Sequence, residues 1–330
     1  MPCRAYCVEM KAERRYGAIS SALSHSLEPE PEPAQQGQLP SDLILLHVGG
    51  TAPSARALDW VRLFHSGLMV DNFSGDELEP VDEWVGMLQS DAEERMGIGC
   101  LDEREVTAGF DQTVPYEIEF HLFMLAHGTS PETTDADGLP LTTGATVVAG
   151  ACCEIYMNSS VGLLTYLVTH ASQRGRGLAR RLCDEVRRTV RAQSPKGLDS
   201  LLMLECHRAG VPDENMDSLA RLAAYEKMGW LGMNELPFVA PAVSEGMGTL
   251  EPGNMCLLVD GNCMRSDHSF QTSEGTSDEG VDTEILRAWI MEYWAACYSD
   301  DLRPLRRMIE YFEPLDLVPI VPPTQCTLTE

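Results

Sequence analysis

Apolar positions along this chain change period from two to about four and back, and the order of those changes outlines a fold. A short apolar run, Asp42–Leu46, predicts a first strand. Ala57–Met69 places Leu58, Val61 and Phe64 at helical spacing. Glu79–Ser90 does the same with Val81, Trp84, Val85 and Leu88. Tyr116–Ala126 and Ala145–Met157 read as strands on either side of a loop at Pro131–Leu141. Asn158-Ser159-Ser160 predicts a hairpin turn into a further strand, Val161–Thr169. Leu178, Leu182, Val186 and Val190 then recur every four residues, the single apolar stripe of an amphipathic helix. Leu198–His207 returns as a strand and Ala209–Met216 as a polar loop. Ser218–Met228 is a helix with Leu219, Leu222 and Ala223 inward, stopped by Gly229. Phe238–Ala242 and Met255–Asp260 close the series as a strand pair.

The flanks differ in character. Residues 1–40 contain Glu28-Pro29-Glu30-Pro31-Glu32-Pro33, which builds no core and predicts a disordered N-terminal arm. Ser266–Asp282 is rich in Ser, Glu and Gly. Beyond it, Thr283–Tyr298 carries Ile285, Leu286, Trp289, Ile290, Tyr293 and Trp294, an apolar face too wide to leave in water. Leu305–Phe312 continues in the same style. The expected organisation is an arm (1–40), a main domain (41–262), a flexible linker (263–282) and a C-terminal helical extension (283–330). That extension packs on the main domain or on a second subunit, so a homodimer through its helices is one expectation.

Composition narrows the function classes. Apolar residues make up 44% of the 330, enough for an ordinary core. The formal charge is −27, and a nucleic-acid partner needs a basic face, so none is expected. A cationic acceptor suits that field better. No run of 18 apolar residues occurs, so no membrane span is expected. The eleven cysteines include no CxxC pair, and neither they nor the eight histidines show metal-ligand spacing. Buried thiols in a reducing cytoplasm are expected, with an organellar address through the first 27 residues as the alternative.

The chemistry concentrates between the strand 161–169 and the helix after it. Arg174-Gly175-Arg176-Gly177-Leu178-Ala179 forms a glycine loop opening a helix. Such an opening offers unpaired backbone N–H groups and a positive dipole end to a phosphate. Seven arginines (174, 176, 180, 181, 187, 188, 191) fall within this stretch, opposed only by Asp184 and Glu185. A local cationic patch in an acidic chain predicts a phosphorylated ligand. The loop fits R/Q-x-x-G-x-G/A and resembles the acetyl-CoA pyrophosphate loop of the GCN5-related N-acetyltransferases (GNAT). Ala224-Tyr225-Glu226-Lys227-Met228-Gly229-Trp230 resembles the same family's Y-E-K-x-G-F segment, and Glu79-Pro80-Val81-Asp82-Glu83-Trp84 is similar to a helix of a bacterial-type branch. Ser218 and Arg221 depart from the family's usual Asn and small residue.

The resemblance implies an α+β fold, a central twisted, mostly antiparallel mixed sheet flanked by helices, over about Leu43 to Asp260. It implies acetyl-CoA as cosubstrate and no metal. Arg174, Gly175, Arg176, Gly177, Leu178 and Ala179 would hold the pyrophosphate, Arg176 or Arg180 would reach it by side chain, and Leu167 and Val168 would offer strand edges to the pantetheine. Tyr225 would be the general acid toward the departing thiolate. The strand 161–169 holds no acid, so the base falls to Glu205, which ends a Leu-Leu-Met-Leu run, or to Glu154, with His170 and His207 behind them. The expected reaction is acetyl transfer to a primary amine of a small, cationic metabolite. The acidic stretch Asp71–Glu105, with twelve acids and two arginines, would wall the acceptor site. A protein or peptide acceptor, or a CoA-binding module without turnover, is the alternative.

Overall fold

The computed structural model describes residues 42–49, 53–73, 78–90, 94–101, 112–127, 139–140, 142–211, 217–240, 254–264, 270–271, 277–278, 280–297 and 302–326. The arm at 1–40 lies outside them, as does much of the stretch read as a linker. Within that stretch β9 (Phe270–Gln271) and β10 (Ser277–Asp278) pair antiparallel.

Strand and helix order follow the hydrophobic pattern closely. β1 (Ile44–Gly49) leads into α1 (Ala55–Phe64), capped by the Ser54 hydroxyl accepting from the Ala57 amide and prolonged by a π-helical turn at His65–Met69. After α2 (Val81–Gln89) come β2 (Met96–Leu101), β3 (Gln112–His127), β4 (Thr146–Tyr156) and β5 (Val161–Thr169). Then follow α3 (Leu178–Gln193), β6 (Leu201–His207), α4 (Ser218–Met228), β7 (Trp230–Met233) and β8 (Met255–Asp260). Across the main sheet the order is β1-β3-β4-β5-β6-β8-β7, with β2 on β3. Only the β5–β6 contact is parallel among the described strands.

Two layers cover the sheet. α1 and α2 bury Leu58, Val61, Phe64, Trp84 and Leu88 against Phe120, Leu122 and Met124 of β3. On the opposite face α3 buries the stripe read from the sequence, Leu178, Leu182, Val186 and Val190. Gly162 allows that close approach, since a Cβ there would sit 2.4 Å from Val190 Cγ2.

Two sequence expectations are corrected. Of the expected strand Phe238–Ala242, residues 241–242 lie outside the described set and Phe238–Ala240 is not a strand: Pro237 precedes it, and the Phe238 amide closes a tight turn on the Leu236 carbonyl at 2.8 Å. β8 pairs instead with β7 and β6. The segment after residue 280 is not helical alone. β11 (Gly280–Asp282) precedes α5 (Thr283–Cys297) and α6 (Arg303–Phe312), and β12 (Leu317–Val321) then inserts between β7 and β11. The wide face of α5 packs on its own chain: Leu286, Trp289, Ile290 and Trp294 are all buried. Cys152, Cys153, Cys183, Cys206, Cys256, Cys263 and Cys326 are buried free thiols. Among the described residues no set of three or more His, Cys, Asp or Glu side chains is arranged to hold a metal ion, and no helix is long and apolar enough to cross a membrane.

Candidate active site

The site begins where two strands part. β5 and β6 are paired only from Val161–Leu201 to Leu164–Leu204. Beyond that point β5 stays on β4 as far as Thr169 and β6 stays on β8 as far as His207. A gap therefore opens inside the sheet. At its mouth β5 carries an extra residue, Thr165, whose hydroxyl donates to the Cys152 carbonyl at 3.2 Å. Such bulges turn a strand out of its ladder beside functional sites. The His170 amide bonds the Val148 carbonyl on β4 at 2.8 Å. Alternation along an antiparallel strand then directs the peptide groups of Leu167 and Thr169 into the gap and those of Val168 toward β4.

The glycine loop sits at the far end of that free edge. Gly175 and Gly177 both have φ of 77°, a left-handed backbone that costs other residues about 1 kcal/mol or more. Gly177 is the N-cap of α3 with no side-chain cap, so the first-turn amides of α3 lie open beside the exposed residues 174–177. Arg174 Nε donates to the Thr169 carbonyl at 3.3 Å, which ties the loop to the strand end. Arg176 bonds the Gln173 side chain, and Arg180 bonds the Lys227 carbonyl at the end of α4. His170 caps a short turn, its Nδ1 accepting from the Ser172 amide at 3.3 Å. His207 ends β6.

The arginine cluster divides into two groups. Arg181 pairs with Glu185 at 2.8 Å, and Arg188 shares the same carboxylate. Arg187 bridges Asp184 at 2.8 Å and the fully buried Asp260 at 2.5 Å, and Arg191 donates to the Asn262 carbonyl at 2.8 Å. These four hold α3 to its own turns and to β8. Only Arg174, Arg176 and Arg180 stand around the loop; of the other four, three answer to internal carboxylates and Arg191 to a carbonyl.

Tyr225 and Glu205 flank β6 from opposite faces. Gly162 faces α3, so Leu163 faces away from it. Met203 is paired with Leu163, and Glu205 follows Met203 by two, on the same side. Tyr225 lies on the α3 side, its ring edge-on to Trp230 at 6.0 Å, with Cys183 and Cys206 as neighbours. Burial, then those thiols, raises its phenol above the ordinary tyrosine range, so it stays protonated. The hydroxyl makes no hydrogen bond among the described residues. Burial pushes the Glu205 carboxyl up to about 7; a hydrogen bond from Tyr293 of α5 opposes this and the nearby Glu154 adds to it. Glu205 Oε1 is buried without a hydrogen-bond partner among the described residues. Glu154 is occupied: the Tyr156 hydroxyl donates to its Oε2 at 2.6 Å.

Of the acidic stretch, residues 74–77, 91–93 and 102–111 lie outside the described set. Glu79 holds the α2 side of the site in place, accepting from Trp84 Nε1 at 2.9 Å, with its backbone hydrogen-bonded to the Tyr166 phenol. Ser218, where relatives of the resemblance carry Asn, is buried and accepts from the Gly210 amide at 3.1 Å. Two contributors escaped the sequence reading, Thr165 and Tyr293. A bulge leaves no periodic signal, and Tyr293 reads as one more aromatic on a packing face.

Residues 113–230, from β3 to the start of β7, match the sequence model of the Acetyltransferase (GNAT) family. The chain carries a GNAT acetyltransferase domain. Its fold is that of the family, and acetyl-CoA is the cosubstrate that GNAT acyltransferases use. Among solved structures, it is similar to a protein from Bacteroides thetaiotaomicron assigned to the GNAT family, with 15% identity over 67% of this chain and 89% of that one and a TM-score of 0.37. It is also similar to the ribosomal-protein-S18-alanine N-acetyltransferase of Escherichia coli, at 11% identity over 69% and 99% with a TM-score of 0.33. A third is Tetrahymena GCN5, at 11% identity over 66% and 96% with a TM-score of 0.32. No curated protein sequence gave a match. The GNAT match ends at Trp230, so α5 and its Tyr293 lie outside it.

Proposed function

We propose that this domain transfers an acetyl group from acetyl-CoA to the primary amine of a small, cationic metabolite by direct attack. The observation that carries the reading is the gap between β5 and β6, with an uncapped helix N-terminus at one end and a raised, half-satisfied carboxylate at its mouth. The residues present suit the cosubstrate: open amides at Gly175–Ala179 for a diphosphate, and the Leu167 peptide group, facing the gap, for an amide of the pantetheine. Acetyl-CoA, when bound, supplies the acyl thioester.

The chain's own groups then do the proton work. Glu205, titrating near neutrality, accepts the amine proton as the new C–N bond forms. Tyr225, kept protonated by burial, donates its hydroxyl proton to the sulfur as the C–S bond breaks. Glu154, held by Tyr156, adds negative charge behind Glu205 and favours a cationic acceptor. The charge of −27 works in the same direction at longer range.

The test is labelled acetyl-CoA with a panel of polyamines, aminoglycosides, amino acids and histone-like peptides. Transfer to small polycations is expected, with a KM that rises as salt screens the acidic field. Transfer only to neutral or acidic amines overturns the cationic acceptor. Transfer only to peptides moves the acceptor to protein, and no turnover with any amine favours a CoA-binding module.

A further inference from the structure

We propose that Tyr293, in the C-terminal extension, is a positioning residue for the acetyl-transfer site: its hydroxyl pins one oxygen of Glu205 and leaves the other free toward the gap. The inference rests on the reading of Glu205 as the base. It starts from a juxtaposition of distant segments. β4 places Glu154 and Tyr156 on the sheet face that carries Glu205, and α5 crosses the same region. The Tyr293 ring stacks on Trp289 at 5.3 Å and 20° and meets Tyr156 edge-on at 5.8 Å. Both contacts fix the direction of its hydroxyl, which hydrogen-bonds the Glu205 carboxyl. Since Oε1 has no partner among the described residues, the bond falls to the other oxygen.

The preceding residue anchors the helix that makes this possible. Glu292, 1% exposed, accepts from the Ser159 amide at 2.9 Å and hydroxyl at 2.8 Å, and from the amides of Glu117 and Asn158 at 3.3 Å each. The turn between β4 and β5 is thus tied to α5, which fixes the register of Tyr293 over the sheet.

The hydrogen bond has a definite electrostatic sign. It stabilises the ionised carboxylate, so its loss moves the Glu205 titration upward. The titratable groups acting on this carboxyl among the described residues are Tyr293 from α5 and Glu154 from β4, with Tyr156 on Glu154 and Cys297 beside Tyr293. Tyr293→Phe removes the donor and keeps the ring, so stacking and fold persist. Replacing Tyr293 by 3-fluorotyrosine gives a more acidic phenol, a stronger donor in the same place.

The experiment measures kcat/KM against pH for the full chain, together with the carbon-13 titration of the Glu205 carboxyl. With Tyr293→Phe both are expected to move up by about one pH unit, the worth of one bond to a charged group. Activity then falls about fivefold at pH 7 and converges on the parent by pH 9. Fluorotyrosine is expected to move both the other way. A loss of activity by one factor at every pH, with the Glu205 titration unmoved, overturns the proposal and leaves Tyr293 a packing residue. Glu205→Gln separates the two readings. If the acidic limb survives that change, Glu205 is not the base, and the carboxyl titration alone decides whether Tyr293 governs it.

Discussion

A carboxylate that titrates near 7 inside a folded chain is paid for in stability, and this gives Glu205 a second signature besides rate. Its folded pKa stands above the ordinary 4.5 because burial disfavours the charge. The native state therefore holds the proton more tightly than the unfolded chain does, and stability falls as pH rises from about 4.5 to about 7. Glu205→Gln removes that penalty. The variant is expected to melt above the parent at pH 8 and close to it at pH 4, by calorimetry, while losing kcat/KM by about 10²-fold or more with its acidic limb. A variant that is no more stable at pH 8 than the parent contradicts the buried-carboxylate account. Glu205 stood out in the sequence as a candidate because it ends the apolar run Leu-Leu-Met-Leu, near where the strands part. Tyr225 was legible because a family segment surrounds it. Tyr293 was not, since its role comes from a partner on another element that only the packed fold brings near.

At the scale of elements, the hairpin turn at 158–160 was read correctly from Asn-Ser-Ser, but what holds it was not. A glutamate at position 292, on the apolar face of a helix rich in Trp and Tyr, was the available signal. A buried acid there must find donors, and it finds three amides and a hydroxyl. Glu292→Ala leaves those donors unpaired, and chemical denaturation is expected to show a loss of about 2–4 kcal/mol. A loss under about 0.5 kcal/mol, typical of a surface change, would contradict the anchoring role. The arginines of α3 make the converse point. Their number suggested phosphate, yet Arg181, Arg187, Arg188 and Arg191 are committed to Glu185, Asp184, Asp260 and Asn262. Asp260 lies far along the chain, so no local count could foresee that pairing.

For the whole molecule, one sheet runs from β1 to the strands of the C-terminal segment. β12 pairs with β7 at Ile320–Met233 and Val321–Gly232, and so covers what would otherwise be the sheet edge. Pro319 within Leu317–Val321 hid that strand, because proline argues against a ladder position. The helices of the same segment were plain from their period. Charge acts at this scale as well: an acidic molecule that binds an anionic cosubstrate needs a local site strong enough to oppose its own field. The first-turn amides of α3 behind Gly175 and Gly177 are that site in this account. Calorimetric titration of the full chain with acetyl-CoA tests it directly. One saturable site per chain is expected, weakened at least about tenfold by Gly177→Val, which denies the loop its left-handed cap. No binding heat, or binding that Gly177→Val leaves unchanged in a folded protein, would contradict it.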